Sequence, residues 1–328
     1  MNYRNILVYV VLLFPLSGCE QDKSPEIIAV EAVRNTSVEL RPPPVELTSH
    51  LYIVATVNDS IDGVFLFDTG ANDLILDRTF AMHHALDTLS TADRSFTYGA
   101  GEGKLAHEYL SEIQLKFDGR EFTPEKVRMM ALDSMLGDVL DHRIDGIIGY
   151  DLFKDFIAKI DFDEETFTLL NRLPEDFETY SRVQYKIAYR KPMVTVEAEI
   201  AADRVITANV LFDMGSADAL ALTHRKAKQE QLFSVVSDDD CSSSTSEGIG
   251  GSSSGCSLSI SSLRIDKTLK VDSINVWLGK DQKGALGLHD MYDGVLGLET
   301  IRLFDLLFDP GQRSIYFRER LVEAPNTR

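Results

Sequence analysis

The sequence predicts an all-β protein with few short helices, assembled from two copies of one unit, and three observations carry that reading. Between residues 45 and 57, Leu47, Leu51, Ile53 and Val57 sit among polar residues with a mostly period-two rhythm, as in a strand with one face turned to a core. Asp62-Gly63 and Asp118-Gly119 break such short runs at turns, and few segments sustain a helical period. The third observation is an internal repeat. Phe65-Leu66-Phe67-Asp68-Thr69-Gly70-Ala71 returns as Val210-Leu211-Phe212-Asp213-Met214-Gly215-Ser216, and Asp145-Gly146-Ile147-Ile148-Gly149 returns as Asp293-Gly294-Val295-Leu296-Gly297. The motifs are 77 residues apart in the first copy (145 − 68) and 80 in the second (293 − 213). An apolar stretch with an acidic turn follows each second motif, over residues 156–167 and 304–317.

The elements divide the chain as follows. Residues 1–19 read as an export signal: Arg4 in a short charged start, an apolar run from Ile6 to Phe14 too short to span a bilayer, then Leu16-Ser17-Gly18-Cys19. Those last four residues resemble a bacterial lipobox, which implies a lipid on Cys19 and a place in the bacterial cell envelope; an ordinary secretory signal is the alternative. Residues 20–44 end in Arg41-Pro42-Pro43-Pro44 and suit an extended tether between anchor and folded body. The first copy is expected over 45–172, a connector over 173–183, the second copy over 184–320 and a tail over 321–328.

With 328 residues the chain can bury one large bilobal body or two smaller ones, and length alone does not choose. Asp and Glu outnumber Lys and Arg by 52 to 33, a formal net charge of −19, which argues against nucleic acid as a partner because phosphates need a basic surface. The acidity also serves solubility. If Cys19 carries lipid, Cys241 and Cys256 are an even pair that reads as one disulfide in an exported chain, with two free thiols as the alternative. His83-His84 has no second ligand cluster nearby and reads as a solvated helix end.

The chemistry lies in the repeat. Two apolar residues followed by Asp-Thr-Gly describe a buried strand that ends in a carboxylate and turns sharply, with glycine allowing close backbone approach. Phe67-Asp68-Thr69-Gly70-Ala71-Asn72-Asp73 and Gly146-Ile147-Ile148-Gly149 resemble the active-site and apolar-apolar-Gly motifs of retroviral-type aspartic proteases, and pepsins share the plan with both halves in one chain. The resemblance covers most of residues 45–320, although only the motifs are specific. It implies two closed β-barrel-like lobes related by a pseudo-twofold axis, a substrate cleft between them, and an endopeptidase that works as a monomer on a peptide or protein. Asp68 and Asp213 would share one proton and a water, so neither a metal nor another cofactor is needed.

Thr69, Gly70, Met214, Gly215 and Ser216 are the supporting motif residues. In the family, hydroxyls at the positions of Thr69 and Met214 cross-link the lobes beneath the dyad, and Met214 has none to offer; Ser216 is placed to hydrogen-bond Asp213. Ser95-Phe96-Thr97-Tyr98-Gly99-Ala100-Gly101 resembles the flap hairpin of pepsins, which makes Tyr98, Gly99 and Gly101 substrate-covering residues, or else an ordinary glycine-rich turn. Its counterpart in the second copy falls in the Ser/Gly-rich residues 242–255, whose composition suggests a flexible loop pinned by the cysteines. Asn72 is a candidate for substrate binding, and Asp73 and Asp218 either contact substrate or cap turns. Asp145 and Asp293 organise the turns before the apolar-apolar-Gly segments. The rival reading is a noncatalytic peptide-binding lipoprotein in which Met214 has disabled the site. A glycosidase with two acidic residues gives no reason for the duplicated Asp-x-Gly turns.

Overall fold

The structure, a computed structural model, describes residues 37–39, 50–98, 104–137, 139–140, 143–201, 203–236, 241–281 and 291–320. The expected export signal, Cys19, the flap-tip residues Gly99 and Gly101, and the tail lie outside them. The fold is all-β. Among the described residues the strands form a nine-stranded sheet from the first half, an eight-stranded sheet from the second, and a six-stranded sheet built from both. No helix among the described residues is long and apolar enough to cross a membrane.

The repeat in the sequence is a repeat in topology. In the first half, strand Ile61–Asp68 pairs antiparallel with Tyr52–Val57 and parallel with Gly146–Gly149. Gly146–Gly149 runs antiparallel to Leu74–Asp77, which in turn runs parallel to Val127–Met130. In the second half, Arg204–Phe212 pairs antiparallel with Lys191–Ala201 and parallel with Gly294–Leu296. Gly294–Leu296 then runs antiparallel to Leu220–Leu222, which is parallel to Leu269–Gly279. Each apolar-apolar-Gly motif is therefore a short central strand between the aspartate-bearing strand and the strand that follows it.

Local chemistry explains the shared turns. The Asp145 carboxylate accepts the Val64 N–H at 2.8 Å, and the Asp293 carboxylate accepts the Asn209 N–H at 2.9 Å, so each acid knots the entry of its motif to the strand beside it. Asp77 and Thr223 close the matching strands and cap the helices Arg78–His83 and His224–Gln229 by accepting N–H bonds. His83 and His84 are the exposed end of the first of these helices.

Alternation sorts the side chains. Phe65 and Phe67 enter the main core, where Phe67 packs 4.6 Å from Phe153 and 4.9 Å from Phe167 between ring centres. Leu66, on the opposite face, joins a second apolar cluster with Tyr52, Ile75, Met130 and Ile147. In the other half Phe212 is in the core, and Leu211 joins Met193, Ala221, Trp277 and Val295.

Three expected loops or linkers are strands instead. Ser37–Glu39, inside the expected tether, pairs with Thr166–Leu170, and Ser181–Gln184, at the end of the expected connector, pairs with Ser314–Glu319. The Ser/Gly-rich stretch corrects the expectation of a flexible loop: Ser242–Gly248 and Gly251–Ile265 form an antiparallel hairpin in register from Ser242↔Ser257 to Gly248↔Gly251. Composition measures what side chains can bury, whereas this hairpin is ordered by its backbone ladder, by continuation of its second strand against Leu269–Gly279, and by the Cys241–Cys256 disulfide, whose Cα atoms are 5.3 Å apart.

Candidate active site

Each aspartate stands where its strand leaves the sheet. Asp68 ends Ile61–Asp68 opposite Gly149, and the Asp213 N–H donates to the Leu296 carbonyl at 3.0 Å. Beyond each strand the chain doubles back on its own carboxylate: Gly70 and Ala71 donate N–H bonds to Asp68 Oδ1 at 2.6 and 3.0 Å, and Gly215 donates to Asp213 Oδ1 at 2.8 Å. These bonds hold each carboxyl in one orientation and leave its outer edge facing the other half.

The two glycines measure how close the halves come. A Cβ on Gly70 would lie 2.3 Å from Asp213 Oδ2, and one on Gly215 would lie 2.4 Å from Asp68 Cγ. Each turn is thus the seat of the opposite aspartate, and only glycine leaves room. The two carboxyls share a hydrogen bond, and Asp213 is held well above the usual carboxylate range, first by burial and then by the Asp68 charge, with Lys191 opposing. Two acids that compete for one proton are what general acid and base chemistry at a single water needs.

Beneath the pair, the buried Thr69 hydroxyl donates to the Phe212 carbonyl at 2.7 Å and accepts the Met214 N–H at 2.9 Å. The Met214 side chain is fully buried in the main core and has no hydroxyl to reach back to the first half. The link expected from two hydroxyls is therefore one-sided.

Two expected roles change. Ser216 turns its hydroxyl to Asp218 Oδ2 at 3.4 Å rather than to Asp213, whose Oδ1 already accepts the Gly215 N–H and whose Oδ2 faces Gly70. Asp73 is enclosed, not open to substrate: it pairs with Arg128, and with Arg190 from the second half at 3.1 Å. Asp218, its counterpart, has its carboxyl raised by burial first and then by Glu299, with Ser216 opposing. Asn72 keeps a buried side-chain oxygen without a hydrogen-bond partner among the described residues. Tyr98 ends the strand Ser90–Tyr98, with its backbone opposite Lys104.

Four residues here carry little mark in the sequence. Ile249, at the tip of the serine-rich hairpin, packs against the first half's second apolar cluster alongside Ala71 of the Asp68 turn and Leu105 of the first hairpin. An isolated Ile between Gly248 and Gly250 was the available signal. Tyr292 lies near Asp213, its phenol pushed up to about 12 by burial and then by that charge. Lys191 and Arg190 sit on a hairpin turn with no motif to mark them.

Residues 53–152 match a family model described as aspartyl protease. That span holds Asp68-Thr69-Gly70 and Gly146-Ile147-Ile148-Gly149 and leaves the second copy outside. No curated protein matches the chain.

Proposed function

We propose that this chain is an aspartic endopeptidase in which Asp68 and Asp213 hydrolyse a peptide bond laid between the two halves. The observation that carries the proposal is the mutual seating of the aspartates, each against the glycine of the other's turn. The family match over the first half supports the class of activity, and the matching topology of the second half supports a paired site within one chain.

In this reading the pair holds one proton between its two carboxyls and titrates as a unit. The ionised carboxylate takes a proton from the water between them as the oxygen bonds to the peptide carbonyl carbon, and the protonated carboxyl donates to the developing oxyanion. Collapse of the tetrahedral intermediate breaks the C–N bond, and a carboxyl proton passes to the leaving amine, which restores the singly protonated pair. Leu66, Ile147 and Ala71 on one side, and Leu211, Val295 and Met193 on the other, offer apolar walls for side chains flanking the bond. The hairpins ending at Tyr98 and at Ile249 act as covers that exclude water.

The enzyme acts as a monomer. Leu16-Ser17-Gly18-Cys19 supports a lipid anchor on Cys19 and a site in the cell envelope. The rival reading of a noncatalytic peptide binder rests on Met214, but Thr69 still makes both of its bonds across the halves.

Digestion of a mixed peptide library over a range of pH tests the proposal. Asp68→Asn and Asp213→Asn are each expected to abolish cleavage while the circular dichroism spectrum stays native. Full activity in either variant refutes the shared pair.

A further inference from the structure

The halves repeat each other closely enough that their differences can be placed residue by residue. Met193 stands opposite Leu211 as Tyr52 stands opposite Leu66, so the counterpart of Arg190, three residues before Met193, is Ser49. Asp73 and Asp218 each follow their aspartate by five residues, and Asp151 and Glu299 each follow their closing glycine by two. Each half therefore carries a second pair of acids behind the catalytic turn. In the first half Arg190 joins them, reaching Asp73 at 3.1 Å and pairing with Asp151. The matching residue, Ser49, lies outside the described residues and has no guanidinium to offer.

Arg190 also sits on an unfavourable backbone. Ala188 pairs with Lys191 around a two-residue turn in which Tyr189 and Arg190 have φ of 54° and 63°, a left-handed conformation that such turns normally give to Asn and Gly. The turn aims the guanidinium at the segment that carries Asp68. That segment is already stitched to Asp151, since Tyr150 and Asp151 donate N–H bonds to the Ala71 and Asn72 carbonyls at 2.9 and 3.0 Å. Holding Asp73 and Asp151 together thus holds the whole Asp68 turn.

The hydroxyl tie runs the other way, from Thr69 of the first half to the backbone around Asp213. We propose that Arg190 is a positioning residue that supplies the return tie Met214 lacks: by gripping Asp73 and Asp151 from the second half, it keeps Asp68 within proton-sharing distance of Asp213. The inference rests on reading those two aspartates as the catalytic pair.

The test is Arg190→Met, alone and combined with Met214→Thr, with Asp151→Asn as a second way to break the grip. Arg190→Met is expected to lower kcat about ten- to a hundredfold with little change in KM. Its pH–rate profile should narrow from both sides, because carboxyls that separate lose the repulsion that splits their titrations. Asp151→Asn should move the same way, and Met214→Thr should raise kcat more in the Arg190→Met background than in the native chain. An unchanged profile width, a loss confined to KM, or equal gains from Met214→Thr in both backgrounds would overturn the idea. Carboxyl-carbon NMR titration of the aspartates gives a readout free of turnover, in which the two apparent pKa values of the pair should converge in Arg190→Met. If the native protein cleaves no peptide, the functional reading fails while convergence still supports the grip. Absence of convergence refutes the grip whatever the activity.

Discussion

Gly70 and Gly215 do the work of bringing two carboxyls together, because each removes the atom that would collide with the aspartate opposite. The cost of that approach falls on the folded state as a dependence on pH. Asp213 binds its proton more tightly in the folded chain than an unfolded carboxylate does, so between the ordinary value of 3.8 and the raised folded value the native state holds more protons than the unfolded one. Stability contributed by this group is complete below that window and is lost as pH rises through it. Asp213→Asn removes the titration, so the variant should be more stable than the native chain at pH 7, with the gap closing toward pH 4. Urea unfolding at both values checks the sign, and a variant less stable at pH 7 would contradict it.

At the scale of elements, the two flap-position hairpins both pair antiparallel, by different chemistry. Ser90–Tyr98 and Lys104–Leu110 alternate larger side chains, whereas Ser242–Gly248 and Gly251–Ile265 are mostly serine and glycine near the tip and lean on the disulfide at their base. Gly255 has a packing reason, since a Cβ there would fall 2.4 Å from the Trp277 ring. Replacing Cys241 and Cys256 by serine should cost about 3 kcal/mol for the 15-residue separation in the chain-entropy account. Amide exchange should then quicken over residues 242–257 and stay slow in Leu269–Gly279. A double variant with native stability would show that the ladder alone holds the hairpin. Serine content pointed to a loop because serine buries little surface, and the ladder that orders the strand depends on main-chain atoms that every residue carries.

For the whole molecule, the six-stranded sheet makes the halves one body. Ala158, Lys159 and Ile160 pair with Phe308, Leu307 and Leu306, so a strand of each half lies at its centre. Phe308 is 1% exposed and packs its ring against Phe153 and Tyr150 from the first half and against Tyr185 and Phe212 from the second, at centroid distances of 5.2 to 6.1 Å. Phe308→Ala should therefore cost about 3–5 kcal/mol. Calorimetry of the native chain should show a single transition that shifts downward in the variant; two resolved transitions would mean that the halves unfold separately.

The sequence by itself determined the strand class, the duplication, and the acids and glycines of both motifs, because these are set by local backbone needs that leave a pattern in neighbouring residues; it left the cysteines as one disulfide or two thiols, and the structure joins Cys241 to Cys256. The one-way tie of Thr69 is legible there too, since Met214 lacks a hydroxyl. Only the tertiary structure decided that Asp73 belongs to Arg128 and Arg190, that Ser216 serves Asp218, and that Ile249 crosses to the other half's apolar wall. Those contacts join residues far apart in the chain, and a charge or an apolar side chain carries no mark of its partner until folding brings the two within reach.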